Sequence, residues 1–290
     1  MQKQYIIKEL EKKANEIRQD IIKMLVEAKS GHSGGPLGMA DIFTAMYFVV
    51  LNHDPKNPEW EERDRLILSN GHICPVRYVA MAHAGYFPKQ ELMTLRKFGS
   101  RLQGHPERTK LPGLETTSGP LGSGLSQSAG MAYVGKHIDK KKWRVYCLMS
   151  DGEHDAGQTW EAALFAAKNR LDNLTCVLDR NNIQIDGNTE DIMPLEPLKK
   201  KYEAFNWNVI EIDGHDMQQI IDACKKAKSL KGKPTIIIAN TIPGKGVSFM
   251  ENRYEWHGAP PGKGIEDKVP KDKQAEVALK ELEAIGVKLQ

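Results

Sequence analysis

A sequence of 290 residues has room for one large α/β domain or two small ones. Its 40% hydrophobic and 27% charged residues are ordinary for a soluble globular protein, and a net charge of +3 without basic runs interleaved with aromatics argues against a nucleic-acid partner. No apolar stretch approaches the roughly 20 residues of a membrane span, and Met1-Gln2-Lys3-Gln4 does not open a signal peptide, so a cytoplasmic protein without membrane association is expected.

Ile6, Leu10, Ala14, Ile17, Ile21, Met24, Leu25 and Ala28 fall close to helical spacing and predict a helix over residues 5–29. The Gly-rich turn from Ser30 to Pro36 stops it, and a second helix is expected over Met39–Leu51. Arg65–Ser69 reads as a short strand ending at Asn70-Gly71-His72, with helical patterns following over 75–84, 89–98 and 121–136. Arg144–Met149 and Leu174–Leu178 are apolar, strand-like runs, and Thr159–Arg170 between them reads as a helix. Trp207–Ile212 and Pro234–Ala239 are further apolar runs, each preceded by a helix. Strands alternating with helices imply an α/β fold with a doubly wound, mostly parallel sheet flanked by helices.

No internal repeat or low-complexity linker divides the chain. Composition shifts after Pro261, where 262–273 is rich in Lys, Gly and Pro and 274–285 forms a short amphipathic pattern. The expected organisation is a domain over 1–261 and a basic linker with a helical tail over 262–290, read as a surface appendage. Cys74, Cys147, Cys176 and Cys224 form no C-x-x-C pair, and Cys147 and Cys176 lie in expected buried strands. They read as reduced core residues.

The chemistry concentrates at two strand ends. Ser150-Asp151-Gly152 follows the first apolar run and Asn181-Asn182-Ile183 the second. A strand–helix–strand crossover makes these strands parallel and brings both segments to the carboxyl edge of one sheet, where open α/β sheets bind ligands. One carboxylate, one amide oxygen and free backbone groups suit a hard cation such as Mg²⁺ carrying a diphosphate. Asp151 alone would also serve as a helix N-cap.

Four of the nine histidines share a habit: His32, His72 and His105 each follow a glycine, and His257 precedes one. Glycine lets backbone approach a ligand closely, and imidazole can donate to phosphate or move a proton near neutral pH. Taken singly, a loop histidine is more often a solvated side chain. His215, in Gly214-His215-Asp216, stays with that reading, as part of a turn opening a helix.

Taken together, these segments resemble the amino-terminal half of transketolase. The matching runs are Gly31-His32-Ser33-Gly34-Gly35-Pro36-Leu37-Gly38, Leu68-Ser69-Asn70-Gly71-His72, Gly104-His105-Pro106-Glu107 and Thr116-Thr117-Ser118-Gly119-Pro120-Leu121-Gly122. They are followed by the two strand-end motifs, Leu171-Asp172-Asn173-Leu174, Thr241-Ile242-Pro243-Gly244 and Trp256-His257-Gly258-Ala259-Pro260, in family order from about residue 10 to 261. The resemblance implies the thiamin-diphosphate-binding fold, with Asp151, Asn181 and the Ile183 carbonyl as ligands of Mg²⁺ or Ca²⁺. It puts Gly152, His72 and His257 against the diphosphate and Gly119 with Leu121 against the aminopyrimidine. His32, His105 and His257 would face the sugar as hydrogen-bonding and proton-transferring groups.

Two departures from the family pattern stand out. Ala156 occupies the position, five residues after Asp151, where the family usually has a Glu of a carboxylate network, although Glu161 remains and Glu153 or Asp155 could substitute. No segment matches the pyrimidine-binding or carboxyl-terminal domains of transketolases. The resemblance therefore implies either a fragment of a longer chain or, as the favoured reading, the smaller subunit of a split transketolase. It would be a homodimer alone and α₂β₂ with a partner carrying those two domains, acting on sugar phosphates. Rival readings are another thiamin-diphosphate enzyme, such as deoxyxylulose-phosphate synthase or a 2-oxo-acid dehydrogenase α subunit, or an inactive binding or regulatory subunit. Gly104-His105-Pro106-Glu107 and the His257 segment disfavour the first two, and retention of Asp151, Asn181 and the four histidines disfavours the third.

Overall fold

The computed structural model describes residues 2–266 and 268–289; Met1, Asp267 and Gln290, which fall within the expected domain and tail, lie outside the described residues. Helix α1 (Gln2–Ala28) ends at the expected glycine-rich turn, and the short helices α2 (Gly34–Gly38) and α3 (Ala40–Ala45) follow it. Strand β1 (Arg65–Leu68) leads through a 3-10 turn, Gly71–Ile73, into α4 (Cys74–Ala84). The segment expected as a helix over 89–98 keeps only a 3-10 stretch, Lys89–Thr94, before Arg96 turns the chain with a left-handed φ of 59°.

Helix α5 (Ser123–Tyr133) precedes β2 (Val145–Ser150), and α6 (Gly157–Lys168) connects β2 to β3 (Leu174–Arg180). Two small helices, α7 (Thr189–Ile192) and α8 (Leu198–Ala204), lead to β4 (Asn208–Asp213). Helix α9 (Met217–Ser229) returns the chain to β5 (Thr235–Asn240), and α10 (Gln274–Lys288) closes it.

The five strands are all parallel, in the order β1-β2-β3-β5-β4. Strand residues alternate between two cores, as a period of two demands in a sheet covered on both faces. Leu66, Tyr146, Leu148, Val177 and Ile237 meet α1, α3, α4 and α9 on one face. Ile67, Cys147, Met149, Cys176, Leu178 and Ile236 meet α5, α6 and α8 on the other. Every residue of β3 is buried, so the strand carrying Asn181 at its end is held rigidly in the middle of the sheet.

The segment after residue 261 does not stand off as an appendage. Helix α10 lies against α1, with Ala278 and Leu282 wholly buried in the first core and the Asn15 side chain donating to the Leu282 carbonyl at 2.9 Å. Its alanines and leucines supply a sparse apolar stripe, and that stripe is what joins it to the domain. None of the described helices is long and apolar enough to cross a membrane.

Candidate functional site

Parallel pairing sets Ser150 opposite Asp179, so the residues following β2 and β3 leave the carboxyl edge of the sheet side by side. Asp151 is fully buried there. Its Oδ1 accepts from the Gly152 amide at 2.8 Å, and its Oδ2 accepts from the Asn182 amide at 2.8 Å and from Nη1 of Arg180 at 3.0 Å. It is also the N-cap of a 3-10 turn over Gly152–Asp155, so the capping role and the strand-end position coincide. Burial raises its carboxyl pKa while Arg180 and the amides oppose the rise; a divalent cation would hold the group ionised.

Asn181 donates from Nδ2 to Oδ2 of Asp179 at 2.8 Å, which fixes the amide with Oδ1 as its acceptor end, 3.0 Å from the Ile183 amide. Asp179 is itself buried and pushed up to about 7 by that burial, and the Thr241 hydroxyl donates to its other oxygen. Asn182 adopts a left-handed φ of 63°, and Ile183 bridges antiparallel to Asn188, so the chain turns sharply just past the sheet. The available donors are thus a carboxylate, an amide oxygen and a backbone carbonyl, a set suited to Mg²⁺ or Ca²⁺. Among the described residues no three His, Cys, Asp or Glu side chains converge as a metal site, so an ion here must draw on amide and carbonyl oxygens.

Three histidines from separate segments meet above these strand ends. The ring centroids of His32 and His72 are 4.9 Å apart, those of His72 and His257 5.1 Å, and those of His32 and His257 5.6 Å. Within the His32 turn, Gly34 has a packing reason: a Cβ there would stand 3.2 Å from the Trp256 carbonyl, and the Ser33 hydroxyl donates to the Ala259 carbonyl at 2.7 Å. These contacts bring the His32 turn and the His257 segment together. Burial, then the neighbouring His257, draws His32 down to about 3, and Nδ1 of His32 is buried without a partner. Burial also lowers His72 and His257, and burial followed by the charge of Arg96 lowers His105. The cluster is therefore neutral near pH 7, with imidazole nitrogens free to accept a proton or a hydrogen bond.

Glu153 holds the loop before α5 in place. Its buried carboxylate accepts from the Ser69 hydroxyl at 2.7 Å, the Gly122 amide at 3.1 Å and the Ser150 amide at 3.1 Å, joining the ends of β1 and β2 to Gly119–Gly122. Burial pushes it up to about 7. Ala156 faces Gly122, where φ is 82° and an added Cβ would come within 2.7 Å of the Ala156 methyl.

One cavity of about 410 Å³ collects every residue expected at the cofactor, metal or sugar: His32, His72, His105 and His257; Gly119 and Leu121; and Asp151, Gly152, Asn181 and Ile183. Gln184, Ile185 and Asp186 also line it, which the sequence did not suggest. His215 lies elsewhere: it donates from Nδ1 to Asp41 at 2.8 Å and accepts from the Ile242 amide at 2.8 Å, a structural role. The roles of Glu153 and Arg180 are likewise invisible in the sequence. It shows that a carboxylate or guanidinium is present, not that it is buried against the motif.

The unpartnered His32 nitrogen and the oxygen-only donor set, lining one cavity, fit a diphosphate carried by a hard cation beside a polar substrate. Residues 10–275 match the family model "Transketolase, thiamine diphosphate binding domain". The chain is 44% identical over 249 residues to the 6-deoxy-6-sulfo-D-fructose transketolase subunit of a Clostridium species, covering 86% of this chain and 90% of that one. It is 42% identical over 275 residues to an apulose-4-phosphate transketolase subunit of Actinobacillus succinogenes, covering 94% and 96%. The solved transketolase of Leishmania mexicana superposes with a TM-score of 0.83 at 31% identity, covering 97% of this chain and 46% of that one. The chain thus spans about half the length of this solved enzyme.

Proposed function

This chain belongs to the transketolase family, and we propose that it is the diphosphate-binding subunit of a two-subunit transketolase. The assembled enzyme would move a two-carbon glycolaldehyde unit from a ketose phosphate, or a ketose bearing a comparable anionic group, to an aldose phosphate. The observation that carries this reading is the meeting of Asp151, Asn181 and Ile183 with His32, His72, His105 and His257 in one cavity. Similarity over nearly the full length of two transketolase subunits supports the division into subunits.

Thiamin diphosphate, when bound, supplies the nucleophilic carbon and takes up the electron pair released as the carbon–carbon bond breaks. Asp151, Asn181 and the Ile183 carbonyl would hold Mg²⁺ or Ca²⁺ against the diphosphate. Gly152 lets the backbone come close, and a Cβ there would already lie 3.2 Å from Gln184. His72 and His257, kept neutral by burial, would donate to diphosphate oxygens, while Gly119 and Leu121 would lie along the aminopyrimidine. His32, His105 and His257 would bind the sugar hydroxyls and accept or return a proton, which needs the neutral imidazoles that burial maintains.

Leu121 and Ile185, at the cavity, are 45% and 67% exposed. Such apolar surface beside a polar cavity suits a second wall, here a partner carrying the pyrimidine and carboxyl-terminal domains in an α₂β₂ assembly. The test is turnover by the assembled enzyme with a panel of phosphorylated and sulfonated ketoses and aldose-phosphate acceptors. Release of the shortened aldose with matched growth of the acceptor by two carbons is expected; carbon dioxide release or no transfer to any acceptor would overturn the reading.

A further inference from the structure

Arg96 lies outside the cavity lining yet touches two of its segments. Its Nη1 donates to the Ser30 hydroxyl at 2.9 Å, two residues before His32. Its Nη2 donates to the Gly104 carbonyl at 3.3 Å, one residue before His105. The same carbonyl accepts from the Cys74 thiol at 3.2 Å, and the Tyr78 hydroxyl donates to the Gln103 carbonyl at 2.9 Å. The loop reaching His105 is therefore tied on one side to α4 and on the other to Arg96.

Gly104 makes the second tie possible. A Cβ at that position would stand 2.9 Å from Arg96 Nε and 3.0 Å from its Cζ, so only a bare backbone lets the planar guanidinium lie so close. Arg96 is pre-set for the task, because its own left-handed turn, φ 59°, is closed by its amide donating to the Leu102 carbonyl at 2.9 Å. The side chain is exposed, so core packing does not explain this geometry.

We propose that Arg96 is a positioning residue for the sugar-facing histidines, clamping the His32 turn to the His105 loop. The proposal rests on the transketolase reading for what the histidines do, but the clamp itself is a property of this chain. A planar fork can span two acceptors in a way that a single ammonium cannot. Its fixed charge disfavours a second positive charge nearby. Burial and then Arg96 lower His105; His32 and His72 are its titratable neighbours, both themselves held neutral by burial, while Glu107, two residues on, is turned to Thr109 and Thr117. His32 also stands against His72 and His257, so its neutrality is over-determined and His105 is the sensitive reporter.

The experiment is NMR titration of the histidine side chains in wild type, Arg96→Gln and Arg96→Lys, with His105 assigned by substitution and unfolding midpoints as the fold control. Loss of the charge in Arg96→Gln is expected to raise the His105 midpoint by about half a pH unit, since an exposed charge acts through screened solvent. Arg96→Lys keeps the charge and should leave that midpoint in place. In the assembled enzyme both variants should lose about tenfold in kcat with cofactor affinity unchanged, because misaligned acid–base groups lose rate rather than cofactor contacts. An unmoved His105 midpoint in Arg96→Gln, or full turnover in both variants, would overturn the proposal. If wild type with its partner transferred no two-carbon unit, the transketolase reading would fall, and the His105 midpoint would still decide whether Arg96 sets that imidazole.

Discussion

Nη1 of Arg180 lies 3.0 Å from Oδ2 of Asp151, both side chains buried, so a protein cation shares the carboxylate assigned to a metal ion. The other arm of the guanidinium donates to Glu190 at 2.6 Å and Glu196 at 3.1 Å. Arg180 thus joins the strand-end motif to the helix and loop that follow it, and Asp151 has a structural duty beside the one proposed for it toward the cofactor.

Those duties separate by substitution. Asp151→Ala leaves Nη1 of Arg180 and two backbone amides without their acceptor and should cost roughly 3 kcal/mol of stability as well as metal-dependent cofactor binding. Asp151→Asn keeps an oxygen acceptor and removes the charge, so stability should fall less while thiamin diphosphate binding in Mg²⁺ is still lost. Denaturant unfolding and cofactor titration of the assembled enzyme check the two effects. Unchanged cofactor affinity in Asp151→Asn would remove the metal assignment.

Much of this site was legible because its residues are short-range signals. Glycine–histidine pairs and strand-end Asp and Asn sit in contiguous runs, and parallel strands bring their ends together by topology alone. Arg180 directly precedes the second motif, yet only packing shows that it faces Asp151. Arg96 and Glu153 act on backbone atoms of other segments, which no side-chain pattern records. The tail misled for a related reason: the Lys- and Gly-rich stretch before it suggests solvent, but Ala278 and Leu282 find a groove on α1 that exists only in the folded domain. The helix expected over 89–98 was cut short by the left-handed turn at Arg96, a residue that ordinarily favours helices.

Substituting His105 and His257, the proposed proton-transfer groups, should separate rate from stability. His105→Ala and His257→Ala are expected to lower turnover about 10²–10⁴-fold, the usual contribution of a positioned acid or base. His257→Ala should also weaken cofactor binding, since it is assigned to diphosphate and sugar together. Steady-state kinetics beside thermal unfolding is the check, and full activity in both variants would return these residues to the role of solvated loop histidines.

Acid should unfold the chain partly through His32. Its folded pKa, about 3, lies below the ordinary histidine value of 6.5, so the unfolded chain binds the proton first and stability falls as pH drops below about 6.5. The loss from this group alone is about 1 kcal/mol at pH 5.5. Urea unfolding at pH 7.5 and 5.5 should show at least that difference, since His72, His105 and His257 are lowered too, and a smaller one in His32→Gln. Identical pH dependence in the two proteins would mean that His32 is not held neutral.

Gly122→Ala tests the loop assigned to the aminopyrimidine. The residue has φ 82°, and the new methyl would meet Ala156 at 2.7 Å, so the loop must shift. A loss of at least about 1 kcal/mol is expected from the backbone strain. Cofactor affinity should fall with it, because the Glu153 contact to the Gly122 amide is displaced. Wild-type affinity in a destabilised variant would show that the loop does not touch the cofactor.

The most direct test of the central claim is a two-carbon transfer assay on the purified chain with and without its partner, at saturating thiamin diphosphate and Mg²⁺, with a ketose-phosphate donor and an aldose-phosphate acceptor. On the proposed assembly this chain supplies one wall of the site, and reaction without the other wall would forfeit the exclusion of water on which transfer depends. The chain alone should be silent and the mixture active, with activity saturating as the partner is titrated in. Robust transfer by this chain alone, or none from the mixture, would contradict the account.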